Sequence, residues 1–385
     1  MKIKEFCNLN PKISQKYDDN LLVSFVPMAN VSEDGEIITN DVRRYGELKK
    51  GFTYFENGDV LLAKITPCLE NGKGAVAKNL KNNIGFGSTE FHVFRPNTSK
   101  VLSEWLYYFT HWEIFRKNCE NNMMGSAGQK RISKTYLENY EVKLPDIKTQ
   151  KEMVSVLDLT SHLISIKNQQ LEQLDLLIKS RFVEMFGDVV INSKNWVIKH
   201  LEDISVSRLG KMLDSKQKTG QNLYPYLANF NVRWFGFDLT KLNEMDFNEE
   251  EQNEFKLEKG DLLVTEGGEI GRCAVWNGEI DNCFFQKALH RVRCNKNFIL
   301  PIYLAWWFKF RCDYNKFEDI IGSLSTIAHL TGVKLKKLEI PLPPLALQTQ
   351  FADFVTEVEQ QKSTVKQSLD ELGTLKASLM QQYFG

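Results

Sequence analysis

Two stretches of the chain place an apolar residue at every seventh position. Between Lys148 and Phe186 the column is Leu157, Ile164, Leu171, Ile178 and Met185; between Thr349 and Phe384 it is Phe351, Val358, Val365, Leu372 and Leu379. Neither stretch contains proline, and Gly373 is the only glycine inside either. The pattern predicts two long helices, each a rod of roughly 55–60 Å at 1.5 Å per residue. A seven-residue apolar column calls for a partner helix, so the two most simply pack on each other as a coiled coil. The rest of the chain mixes periods. Val60–Ile65 and Leu262–Thr265 are short apolar runs after Gly-Asp turns and predict buried strands. Glu104–Asn118 and Ile302–Phe317 are aromatic-rich and predict helices, the second with Pro301 at a favourable first position. Strands and helices in this order give an α+β class.

The chain also repeats itself. ENYEVKLPDIKTQ (Glu138–Gln150) returns as KKLEIPLPPLALQ (Lys336–Gln348), and pairing Pro145 with Pro343 carries an ungapped register to Phe186-Gly187 and Phe384-Gly385. Upstream the copies diverge but keep four anchors in one order. GDVLLAKITP (Gly58–Pro67) parallels GDLLVTEGG (Gly260–Gly268), and GKGAV (Gly72–Val76) parallels GRCAV (Gly271–Val275). MGSAGQKRIS (Met124–Ser133) parallels IGSLSTIAHL (Ile321–Leu330), and VPMANV (Val26–Val31) parallels LANFNV (Leu227–Val232). Each copy is thus a mixed domain followed by a long helix.

Composition adds limits. With 385 residues, 42% hydrophobic and 25% charged, the chain has material for two globular domains. No apolar run is long enough to cross a bilayer, and MKIKEFCNLN lacks the apolar stretch of a secretory signal, so a cytoplasmic protein is expected. The 7 cysteines include no C-x-x-C pair; Cys273, Cys283, Cys294 and Cys312 near His290 are spaced too irregularly for structural zinc, and buried thiols are the better account. Formal net charge is zero. Local segregation matters more for phosphate attraction than the sum. Lys199, Arg208, Lys211, Lys216, Lys218 and Arg233 fall in one stretch, and the acidic counterweight, Glu244 through Asp261, in another, so a basic face is open.

A search for catalytic chemistry returns little. GELKKGF (Gly46–Phe52) has the glycines of a phosphate loop but Phe52 where lysine is required. Gly267-Gly268-Glu269-Ile270-Gly271 lacks dinucleotide-site spacing, and Pro343-Pro344 lacks the flanking residues of an amino-methyltransferase motif. Asp59, Glu70 and Lys73 loosely suggest a metal-dependent nuclease, yet only Asp261 persists in the second copy, and an Asp after Gly is usually a turn residue.

Binding features are better supported. One loop offers Lys64, Thr66, Glu70, Asn71 and Lys73, and its counterpart offers Thr265, Glu266, Glu269 and Arg272. A second offers Ser126, Gln129, Lys130 and Arg131 against Ser323, Ser325, Thr326 and His329. Arg or Lys reads guanine, Asn or Gln adenine, and Glu or Asp cytosine, so these are suitable side chains for base edges. Their frames recur while their chemistry changes, as expected of two readers of different sequences. Arg43, Arg44, Asn229, Asn231 and Arg233 are secondary candidates, and Trp234 is expected in the core.

With two variable units, each followed by a repeated long helix, the sequence resembles the specificity subunit of type I restriction–modification enzymes. The carriers are GDVLLAKITP, GSAGQKRIS, YPYLANFNVRW (Tyr224–Trp234), LEIPLPPLALQTQ (Leu338–Gln350) and the closing Phe-Gly; the second copy departs at IGSLSTIAHLT, where no Gln-Lys-Arg follows Gly-Ser. The resemblance implies two target recognition domains, 1–145 and 188–343, joined by two long antiparallel coiled-coil helices at 146–187 and 344–385 in a pseudo-two-fold internal repeat. It implies a non-catalytic subunit that binds double-stranded DNA, each domain reading half of a bipartite target while the helices set the spacing. No cofactor is expected on this chain; S-adenosylmethionine would sit on partner methyltransferase (modification) subunits, restriction subunits can join, and no membrane is involved. Two other readings stay open: a self-contained DNA endonuclease or methyltransferase, and a coiled-coil scaffold that binds only protein.

Overall fold

The apolar run that follows the first Gly-Asp turn forms the strand Val60–Ala63, and both of its faces are buried. Alternation assigns Val60 and Leu62 to one core and Leu61 to another, which is why every position is apolar. The computed structural model describes residues 1–37, 41–126, 128–212, 220–314 and 329–385. They form two units: Met1–Asn168 with Lys366–Gly385, and Gln169–Val365. The unit boundaries therefore fall inside the long helices rather than at their ends.

In the first unit Val60–Ala63 lies in a four-stranded sheet with Cys7–Leu9, Phe91–Pro96 and Gly74–Val76, all antiparallel. A second sheet orders Asp41–Arg44, Leu22–Val26, Ile84–Gly87 and Thr53–Glu56, with a parallel pair at its centre. The second unit repeats the first sheet with Ser205–Leu209, Leu289–Cys294, Leu262–Thr265 and Cys273–Val275. Its other sheet keeps the same parallel pair, Leu223–Leu227 beside Phe284–Phe285, flanked by Asn243–Asp246.

The repeat extends to individual buried polar groups. Asp59 is buried after its turn; Arg95 donates to both carboxylate oxygens (2.8 and 2.7 Å) and the Glu56 amide donates a third bond. Burial raises the Asp59 pKa against the lowering effect of Arg95. Asp261 has the same partners in Arg293 and the Glu258 amide. Both Asp residues are thus framework groups, and Glu70 is turned onto Thr66, so no nuclease centre of Asp59, Glu70 and Lys73 is assembled. Buried Gln150 accepts from the Leu102 amide and donates to the carbonyls of Lys100 and Pro145; Gln348 does the same with Leu300, Phe298 and Pro343. Nε2 of His92 faces the Ile132 carbonyl at 2.9 Å and that of His290 faces Leu330 at 2.8 Å. His290 is therefore committed to the backbone, and burial pushes the thiols of Cys283, Cys294 and Cys312 up to about 12.

The expected helix over Glu104–Asn118 is two helices, Ser103–His111 and Glu113–Asn121, broken where Trp112 takes extended dihedrals (φ −64°, ψ 128°). The break lets Phe109, Trp112 and Phe115 all join one core. The second aromatic helix runs Pro301–Asp313. The long helices run Ile147–Phe186 and Leu345–Phe384, forty residues each. Among the described residues no helix is long and apolar enough to cross a membrane.

Within each unit the long helices pack antiparallel. In the second unit Phe182 and Phe186 meet Phe351 (5.4 Å each), and Asp175 meets Lys362 (2.7 Å). Position numbers fall along one helix as they rise along the other. In the first unit Leu157 shares a core with Met380, and Trp105 packs edge-on against Phe384 at 5.3 Å. The apolar columns face inward at these points: Leu157, Ile178, Phe351 and Val358 are all buried.

Candidate nucleic-acid interface

The two polar loops predicted in the first copy are one body in the structure. The Thr66 amide donates to the Lys130 carbonyl (3.1 Å), the Ile132 amide donates to Lys64 (3.0 Å), and Ile65 bridges to Arg131. Leu69 is buried at the centre of the first loop, and the Lys73 amide closes it onto Cys68. From behind, Arg116 donates to the Glu70 carbonyl and His111 reaches the Gly72 carbonyl at 2.8 Å. Gly72 has φ +78°, a conformation that strains any residue with a side chain, which favours glycine there. This bracing fixes the loop without help from its outer residues.

The side chains divide accordingly. Asn71, Ser126, Gln129 and Lys130 are exposed, and Lys64 and Lys73 are half-buried. Thr66 gives its hydroxyl to Oε1 of Glu70 (2.8 Å), and Oε2 of Glu70 is enclosed without a partner. Arg131 is ion-paired with Glu90, whose carboxyl it holds below its ordinary value, although the guanidinium keeps an open flank. Beside Lys64 an open cleft is lined by Asn10, Lys12, Phe52, Thr53 and Thr89. Sequence reading missed these residues, because they come from three separate segments that only the two sheets bring together. Arg43 lies over the Phe25 ring and pairs with Asp41, away from this cleft's lining. Arg44 is exposed.

The corresponding loop of the second unit is anchored in the same way, through the Leu330 amide to Glu266 and the Thr265 amide to Arg272. Here several expected readers prove internal. Thr265 is fully buried and gives its hydroxyl to the Glu269 carbonyl. Asn231 is 1% exposed; its amide donates to Asp238 and Lys241 carbonyls and its oxygen accepts from Ala228. Arg272 is 14% exposed and binds Glu269 and both the backbone and side-chain oxygens of Asn229. Asn229 in turn donates to Gly267 (2.8 Å). These four bind the loop to a neighbouring turn and have little left for a ligand. Glu266 is half-buried, and Arg233 is exposed but paired with Asp238. His329 is exposed beside Gly267. Ser323, Ser325 and Thr326 lie outside the described residues. Trp234 is half-buried rather than in the core, donating to Glu269 and standing 4.9 Å from the Lys309 ammonium.

Charge is also distributed differently from its order in the sequence. Arg208 pairs with Glu254 and Lys211 with Glu251, so the acidic segment folds back onto the basic one. Among the described residues of that stretch, the basic face left open by the sequence is largely neutralised.

Compared with known proteins, residues 1–176 and 193–373 match the family model described as type I restriction modification DNA specificity domain. The chain is 38% identical over 196 residues to the type I restriction enzyme EcoEI specificity subunit and 35% identical over 196 to the EcoAI specificity subunit, both from Escherichia coli. Each match takes in 50% of this chain but only 32% and 33% of those relatives' own lengths. In fold, the chain is similar to one from a structure of a type I R-M system solved to explain its complex assembly and conformational transition. That likeness has a TM-score of 0.62 at 16% identity, over 99% of this chain and 96% of the other.

Proposed function

Since the chain belongs to the type I restriction modification DNA specificity family, we propose that it is the subunit that chooses the DNA sequence on which a modification complex acts. Each unit reads one half of a bipartite duplex target in the cytoplasm, and the long helices fix the interval between halves. The chemistry is supplied by methyltransferase subunits that carry S-adenosylmethionine and dock on those helices; restriction subunits can join the same assembly.

One observation carries this reading. The two units keep the same buried Asp–Arg pair, His–carbonyl bond and Gln bridge, while the loops mounted on them differ in nearly every outer side chain. A duplicated frame holding unlike polar loops suits two readers of different base sequences. Docking has separate support. Val156, Leu159, Leu163 and Ile166, spaced for one helix face, are exposed on the first long helix, where a further helix would bury them.

The test is a gel-shift titration at two salt concentrations, with and without the methyltransferase subunits, alongside mapping of the methylated motif in cells. Specific, salt-sensitive binding to a split motif is expected. Assembly without DNA affinity would favour the protein-only scaffold, and methyl transfer by the pure chain would favour the self-contained enzyme.

A further inference from the structure

The turn Asn229–Asn231 holds its middle residue in an unusual setting. Both flanking asparagines are spent on the framework, Asn229 on Gly267 and Arg272, Asn231 on three backbone groups. Phe230, between them, is 44% exposed, and no aromatic ring packs against it among the described residues. It belongs to none of the described apolar cores either, although Ala228 and Val232 on either side do. A large aromatic is therefore displayed at the apex of a rigid turn, hydrogen-bonded to the loop that carries Glu266 and Gly267. Folding does not require it there. The repeat aligns Phe230 with Ala29, which is also the exposed middle residue of a three-residue turn, Met28–Asn30.

An apex that stays apolar in both copies, amid polar loops, needs a reason outside the fold. Ala and Phe share one role at a DNA edge: each can pack on the 5-methyl group of thymine in the major groove. Building on the DNA-reading function proposed above, we infer that Phe230 is a specificity-determining residue that contacts a thymine methyl in the half-site read by the second unit. The neighbouring Gly267 and Gly268 carry no side chains to hold the duplex away, and exposed His329 lies against Gly267. The contact supplies discrimination that neither Asn229, Asn231 nor Arg272 is free to give.

The experiment uses the chain assembled with its methyltransferase subunits and duplexes carrying the motif mapped from the methylated genome. Each thymine of either strand is replaced in turn by deoxyuridine, which removes only the methyl group. For the unmodified protein, one replacement in the second unit's half-site should weaken binding about fourfold, as expected for one apolar group. Phe230→Ser should bind thymine and deoxyuridine equally at that position, and Phe230→Tyr should keep the preference. Replacements in the other half-site should affect all three proteins alike. Specific binding that is indifferent to every deoxyuridine in the half-site, or equal loss by Phe230→Ser on specific and random duplexes, would overturn the inference but leave DNA reading intact. Absence of any sequence-specific binding would instead remove the reading on which it rests.

Discussion

Asn231 and Lys130 both carry side chains suited to DNA, and burial separates their roles. Lys130 is exposed on a loop that it helps to brace through its backbone carbonyl, so Lys130→Ala should leave the fold intact, weaken binding to every sequence and reduce the salt slope by about 0.9. Asn231→Ala should instead cost stability, roughly 2–4 kcal/mol in denaturant titration, because it leaves an amide and two carbonyls without partners. Side-chain type is visible in a sequence, but whether the framework has already consumed it is not; Thr265 and Arg272 were illegible for the same reason. A pH effect also belongs to single residues. Both ring nitrogens of His111 face carbonyl oxygens, of Tyr107 and Gly72, which favours a second proton. Burial opposes it more strongly, with help from the charge of Arg116, and lowers the pKa from 6.5 to about 4. His92 and His290 shift in the same direction for the same first cause. The unfolded chain therefore takes up protons first as pH falls. The stability held by neutral His111 is complete above about pH 6.5 and lost towards pH 4, amounting to about 2 kcal/mol at pH 5. Urea unfolding at pH 7 and pH 5 should show this loss, and His111→Gln should reduce it; equal stability at the two pH values would contradict the assignment.

Among the elements, the long helices were the most legible, because a seven-residue column survives any amount of loop divergence. The column predicted where they pack. It did not reveal that the adjoining column holds Thr160 and Lys362, nor that Lys362 is satisfied by Asp175, distant in the chain, and nearby Glu359. With Asp175 63% exposed, such a pair adds little stability and serves chiefly to fix register. The break at Trp112 was illegible too, since no proline or glycine marks it. The exposed stripe Val156, Leu159, Leu163 and Ile166 gives the element-scale prediction. Leu159→Glu with Leu163→Glu should leave helix content unchanged by circular dichroism while abolishing co-purification of the methyltransferase subunit. Undiminished co-purification would place that docking elsewhere.

For the whole chain, the repeat was fully readable as an ungapped match from Pro145 and Pro343 onward, and it foretold the duplicated sheets. Charge stayed open in the sequence because order along a chain does not show which segments fold together: Glu251 and Glu254 lie against Lys211 and Arg208. The helices' role as a ruler is tested at this scale. One heptad inserted after Leu171 and another after Leu369 keeps both apolar columns and adds about 10 Å of rod. At about 3.4 Å per base pair, the gap between methylated half-sites should widen by roughly three base pairs with the half-sites unchanged. An active variant with an unaltered gap would show that the helices do not set it. The membership of Lys366–Gly385 in the first unit has a further consequence, for synthesis. Trp105, Phe109 and Trp112 are covered by Phe384, which leaves the ribosome more than two hundred residues after the rest of that core. At about 5–20 residues per second, the N-terminal half waits on the order of ten to forty seconds with an aromatic surface uncovered. Nascent chains stalled before residue 366 should therefore be the species that chaperones hold, and emergence of residues 366–385 the event that frees them.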